Sequence, residues 1–340
     1  MRTLFLILLL ALVPFKTGEA DTIDIYRGET PVQSKDAAVL RRALPEALRH
    51  VLLKFSGLRS FDDYPEVEPA LRQASSIMLS FYYRNVTTIM ADGSELEELR
   101  LVAQFSSEKV DEIARSLQLP LWPAERDPLD IWVVVDNGLD RRIMPLEFAY
   151  AWESMTDAAA WRGLPVSWPQ ADEEGLFQID AQLLWGGYTE DLDLLPGRGI
   201  MIAAARREGL EWSVRTNVAY SGDNWTWRIQ DRDLQAALTE SLQQTVDYVA
   251  AANTIAAADL GIWKHEVTVA GVNTAAAYER CLAYLQKFSI VNQVGVVSAQ
   301  SGRITFRIEL SALPQYFETA LADDGVLTRD EDESFYFFRP

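Results

Sequence analysis

Carboxylates are the most abundant reactive groups in this 340-residue sequence: 50 Asp and Glu stand against 31 Lys and Arg, with two His and one Cys. Two carboxylates flanking a sugar bond can serve as acid and base, or as acid and nucleophile. Candidate clusters are Asp62-Asp63, Asp172-Glu173-Glu174, Glu190-Asp191-x-Asp193, Asp323-Asp324 and Asp330-Glu331-Asp332-Glu333. With so many acids, such clusters arise from composition, and most read as solvated loops. Asp330 to Glu333 supplies oxygen ligands of the kind Ca²⁺ takes, but it lacks the Gly and Glu spacing of an EF-hand loop.

Nucleophilic chemistry finds less support. A Ser-His-Asp triad would need a positioned serine, and no Gly-x-Ser-x-Gly elbow occurs. Cys281 falls on the apolar stripe of a helical pattern. Its neighbour Arg280 is one residue away and does not share its face, so core packing is expected. His50 lies beside the stripe Ala47, Val51 and Phe55, near Arg49 and Lys54, and reads as a solvated histidine. His265 starts a strand between Lys264 and Glu266. One Cys and two His leave no disulfide framework and no multi-cysteine metal site. Gly186-Gly187 and Gly197-Arg198-Gly199 match neither a dinucleotide fingerprint nor a Walker loop. Asn85-Val-Thr87 and Asn224-Trp-Thr226 fit a glycosylation pattern, and both read as incidental. No catalytic, cofactor-binding or metal-binding residue is assigned, and no cofactor is expected.

Tryptophan is the remaining candidate, with ten in the chain. Exposed rings stack on sugars, whereas buried rings supply core area. Trp225 and Trp227 share the apolar face of an alternating strand and are expected in the core. Trp168 and Trp185, beside Pro169 and Gly186, are the candidates for ligand contact.

A formal charge of −19 argues against nucleic acid, whose phosphates need Lys and Arg. Residues 1–20 read as a secretory leader: Arg2, an apolar run from Leu4 to Phe15, and Gly18-Glu19-Ala20 before a cut. The run is too short to span a bilayer as a helix. Cleavage after Ala20 removes Arg2, Lys16 and Glu19, leaving an expected charge of 29 − 49 = −20. No later stretch reads as a membrane span. A periplasmic location is the expectation.

The pattern of elements divides the remainder into an N-terminal α+β domain (21–125), a central α/β domain with a mixed sheet (126–262) and a C-terminal domain (263–340). In the first, Thr22 to Tyr26 reads as a strand. A helix follows through Leu40, Leu44, Ala47, Val51 and Phe55 to Gly57, with a kink or break expected at Pro45. Pro69 to Ser80 reads as a helix. Phe81 onward and Leu96 onward form a hairpin across Asp92-Gly93. In the second, Asp130 to Asp136 and Gly199 to Ala205 are apolar runs suited to strands buried on both faces. A hairpin turns around Ser221-Gly222-Asp223-Asn224, and a long helix starts at Leu234. In the third, the order β-α-β-β-α-β predicts a ferredoxin-like plan. The fold class is therefore α+β or mixed α/β, in three small domains.

Several motifs together resemble a known family. They are Leu119-Pro120-x-Trp122, Pro128-x-Asp130-Ile131-Trp132-Val133-Val134-Val135-Asp136, Arg162-Gly163-Leu164-Pro165 with Pro169, Trp185-Gly186 and Trp225-x-Trp227. With Phe55-Ser-Gly57 and Phe81-Tyr-Tyr, they resemble the domain of unknown function 2066 of exported gammaproteobacterial proteins. The segment Ala203 to Gly209 departs from that family's pattern. The resemblance implies a bacterial envelope setting and no reaction. The function expected is a non-enzymatic interaction or assembly module of the envelope, with an envelope protein as partner. The alternative is a cell-wall glycan binder or hydrolase using exposed Trp and a carboxylate pair.

Overall fold

The structure is a computed structural model and describes residues 21–90, 92–172, 177, 179–189, 192, 198–300, 302–329 and 335–338. The leader at 1–20, the acids at 173, 174, 190, 191 and 193, and the run Asp330 to Glu333 lie outside the described residues, as do the side chains of Asp323 and Asp324.

The first segment contains β1 (Asp21–Thr22), β2 (Arg27–Pro31), α1 (Ala37–Ser56), α2 (Val67–Leu71), α3 (Ala74–Ile77), β3 (Met78–Ile89), β4 (Glu95–Phe105) and α4 (Ser107–Ser116). Helix α1 runs unbroken through Pro45. A proline there removes one backbone bond, while Leu44, Ala47, Leu48 and Val51 stay buried on either side of it and keep the helix seated. The helix expected from Pro69 to Ser80 is instead two short pieces, and β3 begins at Met78. Pairing of Met78 with Phe105 and Ser80 with Gln104 draws those residues into the sheet. Long-range pairing overrides a weak local preference here. The sheet order is β2-β4-β3.

The central segment contains β5 (Glu125–Arg126), β6 (Leu129–Asp136), β7 (Arg141–Ile143), α5 (Ala149–Arg162), β8 (Val166–Ser167), α6 (Ala181–Gly186), β9 (Gly199–Glu208), β10 (Glu211–Tyr220), β11 (Asp223–Asp231) and α7 (Leu234–Asn253). Its sheet runs β11-β10-β9-β6-β7, with β8 also against β6. Strands β6 and β9 pair in parallel and are buried on both faces, as their apolar runs require. Ile131, Val133, Met201 and Ala203 pack with α5 and α7 residues such as Met155 and Leu242. Val134, Ile200 and Ile202 pack with Leu184 of α6 on the opposite face.

The third segment contains β12 (Leu260–Ala270), α8 (Ala275–Gln286), β13 (Val291–Gln300), β14 (Arg303–Ala312), α9 (Pro314–Asp324), β15 (Leu327–Arg329) and β16 (Tyr336–Phe338). Its sheet order is β13-β14-β12-β16-β15, and β16 runs parallel to β12. Thr274 caps α8 by accepting the Ala277 N–H. Cys281 is fully buried, and burial pushes its thiol up to about 11, which suits packing rather than nucleophilic attack.

The first and third segments share one buried apolar cluster, running from Leu48 and Val51 through Leu119 and Leu121 to Phe288, Phe306 and Phe317. The central segment has two others, one on each face of its sheet. The overall architecture is mixed α and β. No described helix is long and apolar enough to cross a membrane.

Candidate functional site

Three places concentrate polar or exposed groups. The first lies where α1, α5 and the segment 121–126 meet. His50 is buried there, contrary to the solvated position expected for it. Its Nδ1 accepts the Glu29 N–H at 2.9 Å, its Nε2–H donates to the Trp161 carbonyl at 2.8 Å, and its ring stacks on Trp161 at 3.8 Å. Position 50 lies one turn on from Ala47, at the border of the stripe, so a small rotation of α1 buries it. Both partners are backbone atoms of distant segments, and no local pattern reveals them. One turn further, Lys54 donates to the carbonyls of Asp24 and Arg27. Burial pushes its ammonium down to about 8. His50 and Lys54 thus close the outer edge of β2.

The imidazole must stay neutral to make both of these bonds. Burial, then the Lys54 charge, pushes its pKa from 6.5 down to about 4. Between those values the unfolded chain binds the proton and the fold does not. Stability is therefore present above pH 6.5 and lost as the pH falls towards 4. The expected loss is on the order of 3 kcal/mol. His50→Gln keeps a donor and an acceptor without titrating. Urea midpoints measured across this range should fall more steeply for the wild type than for His50→Gln, and parallel curves would refute the assignment.

The second place is the α6 side of the central sheet, where Trp185 lies half-buried. The guanidinium groups of Arg141 and Arg206 sit 4.5 and 5.1 Å from its ring centroid. Both arginines pair with Asp136, and the Arg206 hydrogen bond, then the Gly138 N–H, hold that carboxyl below its usual range. Trp168 is half-buried on the other side of the sheet, packed against the α5 and α7 cluster. Its Nε1–H donates to Thr156 Oγ1 at 2.9 Å. The two tryptophans occupy opposite faces and form no common site. Trp225 and Trp227 pack against the central core, as expected, stacking on Tyr248 of α7 at 5.7 and 5.3 Å.

The sequence reading did not single out Arg215 and Arg228 on that same α6 side. The hairpin register sets them directly opposite one another on β10 and β11. The turn at Ser221-Gly222 was readable, and counting back from the Tyr220–Asp223 pair would have found them. Beside them, Asn217 Nδ2 donates to Thr226 Oγ1 at 3.0 Å.

The third place is strand β3. It ends its sheet, with no strand beyond it among the described residues. Leu79, Phe81 and Tyr82 are 69%, 41% and 52% exposed. No strand covers this edge among the described residues, although α5 approaches part of β3, while the opposite edge at β2 is closed by His50 and Lys54.

Comparison with known proteins corrects the family expectation. Residues 20–123 match the model of a different family, described only as a domain of unknown function (DUF8605). The resemblance to domain of unknown function 2066 rested mostly on packing and turn residues, such as the Pro, Gly and Trp positions that many α/β chains share. It is withdrawn, and the bacterial envelope setting it implied loses that support. No curated protein matches the chain. A solved structure titled "Crystal structure of uncharacterized protein" aligns at 9% identity over 37% of this chain and 88% of its own, with a TM-score of 0.16. A likeness at that score carries no structural argument.

Proposed function

We propose that this chain is a non-enzymatic interaction or assembly module of the bacterial envelope, docking an extended segment of a partner protein along β3. The observation that supports this reading is the asymmetry of the first sheet. Unpaired strand edges invite pairing, and proteins usually blunt them. Here α1 closes one edge with two buried polar side chains, and no strand among the described residues pairs with the other, where Leu79, Phe81 and Tyr82 are exposed. Main-chain pairing supplies affinity in strand addition, and aromatic side chains form frequent hot spots. The leader-like residues 1–20 support export and no finer location. Within the finer fold reading, residues 263–340 form a ferredoxin-like unit whose closing strand is replaced by the β15–β16 hairpin.

A glycoside hydrolase is less well supported. Among the described residues, the polar groups at Trp168 and Trp185 are a hydroxyl and guanidinium groups, not a carboxylate pair.

A photoreactive residue at Leu79 tests the docking edge, with one at the 95% exposed Leu139 as control. In envelope extracts of the native host, the Leu79 probe should label one specific protein and the Leu139 probe none. With that partner purified, Leu79→Lys should weaken binding by about tenfold or more while changing stability by less than about 0.5 kcal/mol. Equal labelling from both positions, or undiminished binding by Leu79→Lys, refutes the proposal.

A further inference from the structure

We propose that the α6 side of the β10–β11 hairpin binds a sugar carrying an oxyanion, with Arg215 and Arg228 on the oxyanion and Asn217 on a ring hydroxyl. The site lies in a different sheet from the β3 edge and stands independently of it.

The argument begins with charge. Carboxylates outnumber cationic side chains in this chain, and the other arginines on this face have taken them: Arg141 and Arg206 share Asp136, and Arg198 pairs with Asp130. Arg215 and Arg228 have no carboxylate partner among the described residues, although like charges directly opposite across a ladder repel. Arg215 uses Nη2 to hold the Trp185 carbonyl, near the C-terminal end of α6. That bond leaves its Nε–H buried with no acceptor. Arg228 is exposed and donates to Ser213 Oγ at 3.2 Å. Two guanidinium groups thus share one stretch of surface with donors to spare. A planar donor fork suits a carboxylate or phosphate.

Hydrogen-bonding capacity supplies the second observation. One step along the same face of the ladder, Asn217 is paired with Thr226, and Asn217 Oδ1 is buried without a partner. A buried polar atom left unpaired is costly, and a donating ligand group would satisfy it. Asn217 accepts and the arginines donate, so a ligand meeting both needs an oxyanion and a hydroxyl.

Space is the third. An open groove of about 670 Å³ begins one step further along the ladder, at Asn217 and Thr226, and is lined also by Gly186, Gly187, Tyr188 and Asn224; Arg215 and Arg228 lie beyond its lining, at the next pair on that face of the ladder. Its size is within the range of small-molecule sites. Tyr188 is 53% exposed and offers a ring face to the body of a sugar. Gly187 forms the wall beside Asn217. A Cβ there would come within 2.6 Å of Asn217 Oδ1, so glycine lets the end of α6 approach this side chain closely.

Calorimetric titration of the full chain at low ionic strength tests the proposal, using glucuronate, glucose 6-phosphate, glucose and inorganic phosphate as probes. At least one of the two acidic sugars should bind saturably, and the stronger of them identifies the oxyanion. Glucose and inorganic phosphate should each bind about tenfold more weakly or not at all. Arg228→Gln, an exposed change, should weaken the acidic sugar by about tenfold with an unchanged melting temperature. Tyr188→Ala should weaken it too, whereas Leu79→Lys should leave it intact. No saturable binding by either acidic sugar overturns the proposal. So does full affinity in Arg228→Gln, or inorganic phosphate binding as well as glucose 6-phosphate.

Discussion

Replacing Arg126 with alanine is expected to lower stability by about 3–5 kcal/mol, the scale seen when a buried charged network loses its central member. Arg126 is 1% exposed, yet among the described residues no side-chain carboxylate is hydrogen-bonded to it. Its guanidinium donates instead to five carbonyls: Pro123 at 2.9 Å, Arg162 at 3.2 Å, Gly163 at 2.8 Å, Lys54 at 2.7 Å and Trp122 at 3.1 Å. It also lies 3.6 Å from the Trp122 ring centroid. Burial pushes its pKa down to about 9, so it stays charged at neutral pH. The acceptors explain how a buried cation is tolerated here beside two others, Lys54 and Arg162. Lys54 lies in the last turn of α1, and Arg162 and Gly163 end α5. Helix C-termini carry unsatisfied carbonyls and partial negative charge. One guanidinium answers both ends at once. Arg162 extends the arrangement by donating to the Gly57 carbonyl, just past α1, and to Asp247 of α7.

Alanine would leave those carbonyls buried without donors, and the two helix ends would face each other unneutralised. Arg126→Lys should recover less than half of the loss. An ammonium has three donors and no planar fork, so it cannot reach five acceptors in this geometry. Urea unfolding of both variants at neutral pH measures this. A loss below about 1 kcal/mol in Arg126→Ala would show that water or a rearranged side chain satisfies the carbonyls. Gly163 belongs to the same unit. Its φ of +73° ends α5, and a Cβ there would lie 2.7 Å from Arg126 Nη1.

How far the sequence revealed this depends on whether partners are local. Cys281 followed from a helical stripe, and the β3–β4 and β10–β11 hairpins from turn residues between alternating runs. Their physics is short-range. Arg126 and His50 escaped because their partners are backbone carbonyls and N–H groups from segments remote in sequence, and any residue type can supply those atoms. Arg126 stood at an expected domain boundary, where a charged residue reads as a solvated linker. The segments were legible one by one, but their joining was not. The shared cluster of the first and third segments depends on Leu119, Leu121 and Phe288 meeting, with Glu125 accepting the Ser289 N–H and O–H beside them. The oxyanion candidates lay between these cases. Arg215 and Arg228 become neighbours only through the hairpin register, which the turn does encode.

Gly28→Ala should produce the second large effect, about 3 kcal/mol of destabilisation, from a single methyl group. Gly28 lies in β2 facing α1. A Cβ on it would sit 1.9 Å from the Ala47 carbonyl oxygen and 2.8 Å from its carbon. Those are backbone atoms of a helix interior, and no rotamer change moves them. The third contact, Val51 Cγ2 at 2.9 Å, could be trimmed. The remaining response is to lift α1 from the sheet, and α1 is fastened there on both sides. His50 holds the Glu29 N–H, Lys54 holds the Arg27 carbonyl, and Arg126 holds the Lys54 carbonyl. Displacing the helix stretches these bonds together, each worth about 1 kcal/mol net. Two measurements separate this from a side-chain clash. Val51→Ala added to Gly28→Ala should fail to restore stability, because it leaves the carbonyl contact in place. The His50 pKa, followed by NMR in Gly28→Ala, should rise from about 4 towards 6.5 as its pocket opens. Stability within about 0.5 kcal/mol of wild type would mean that α1 can move without breaking its hold on β2. In that case β2 would keep its closed edge by some means other than this close approach of helix and strand.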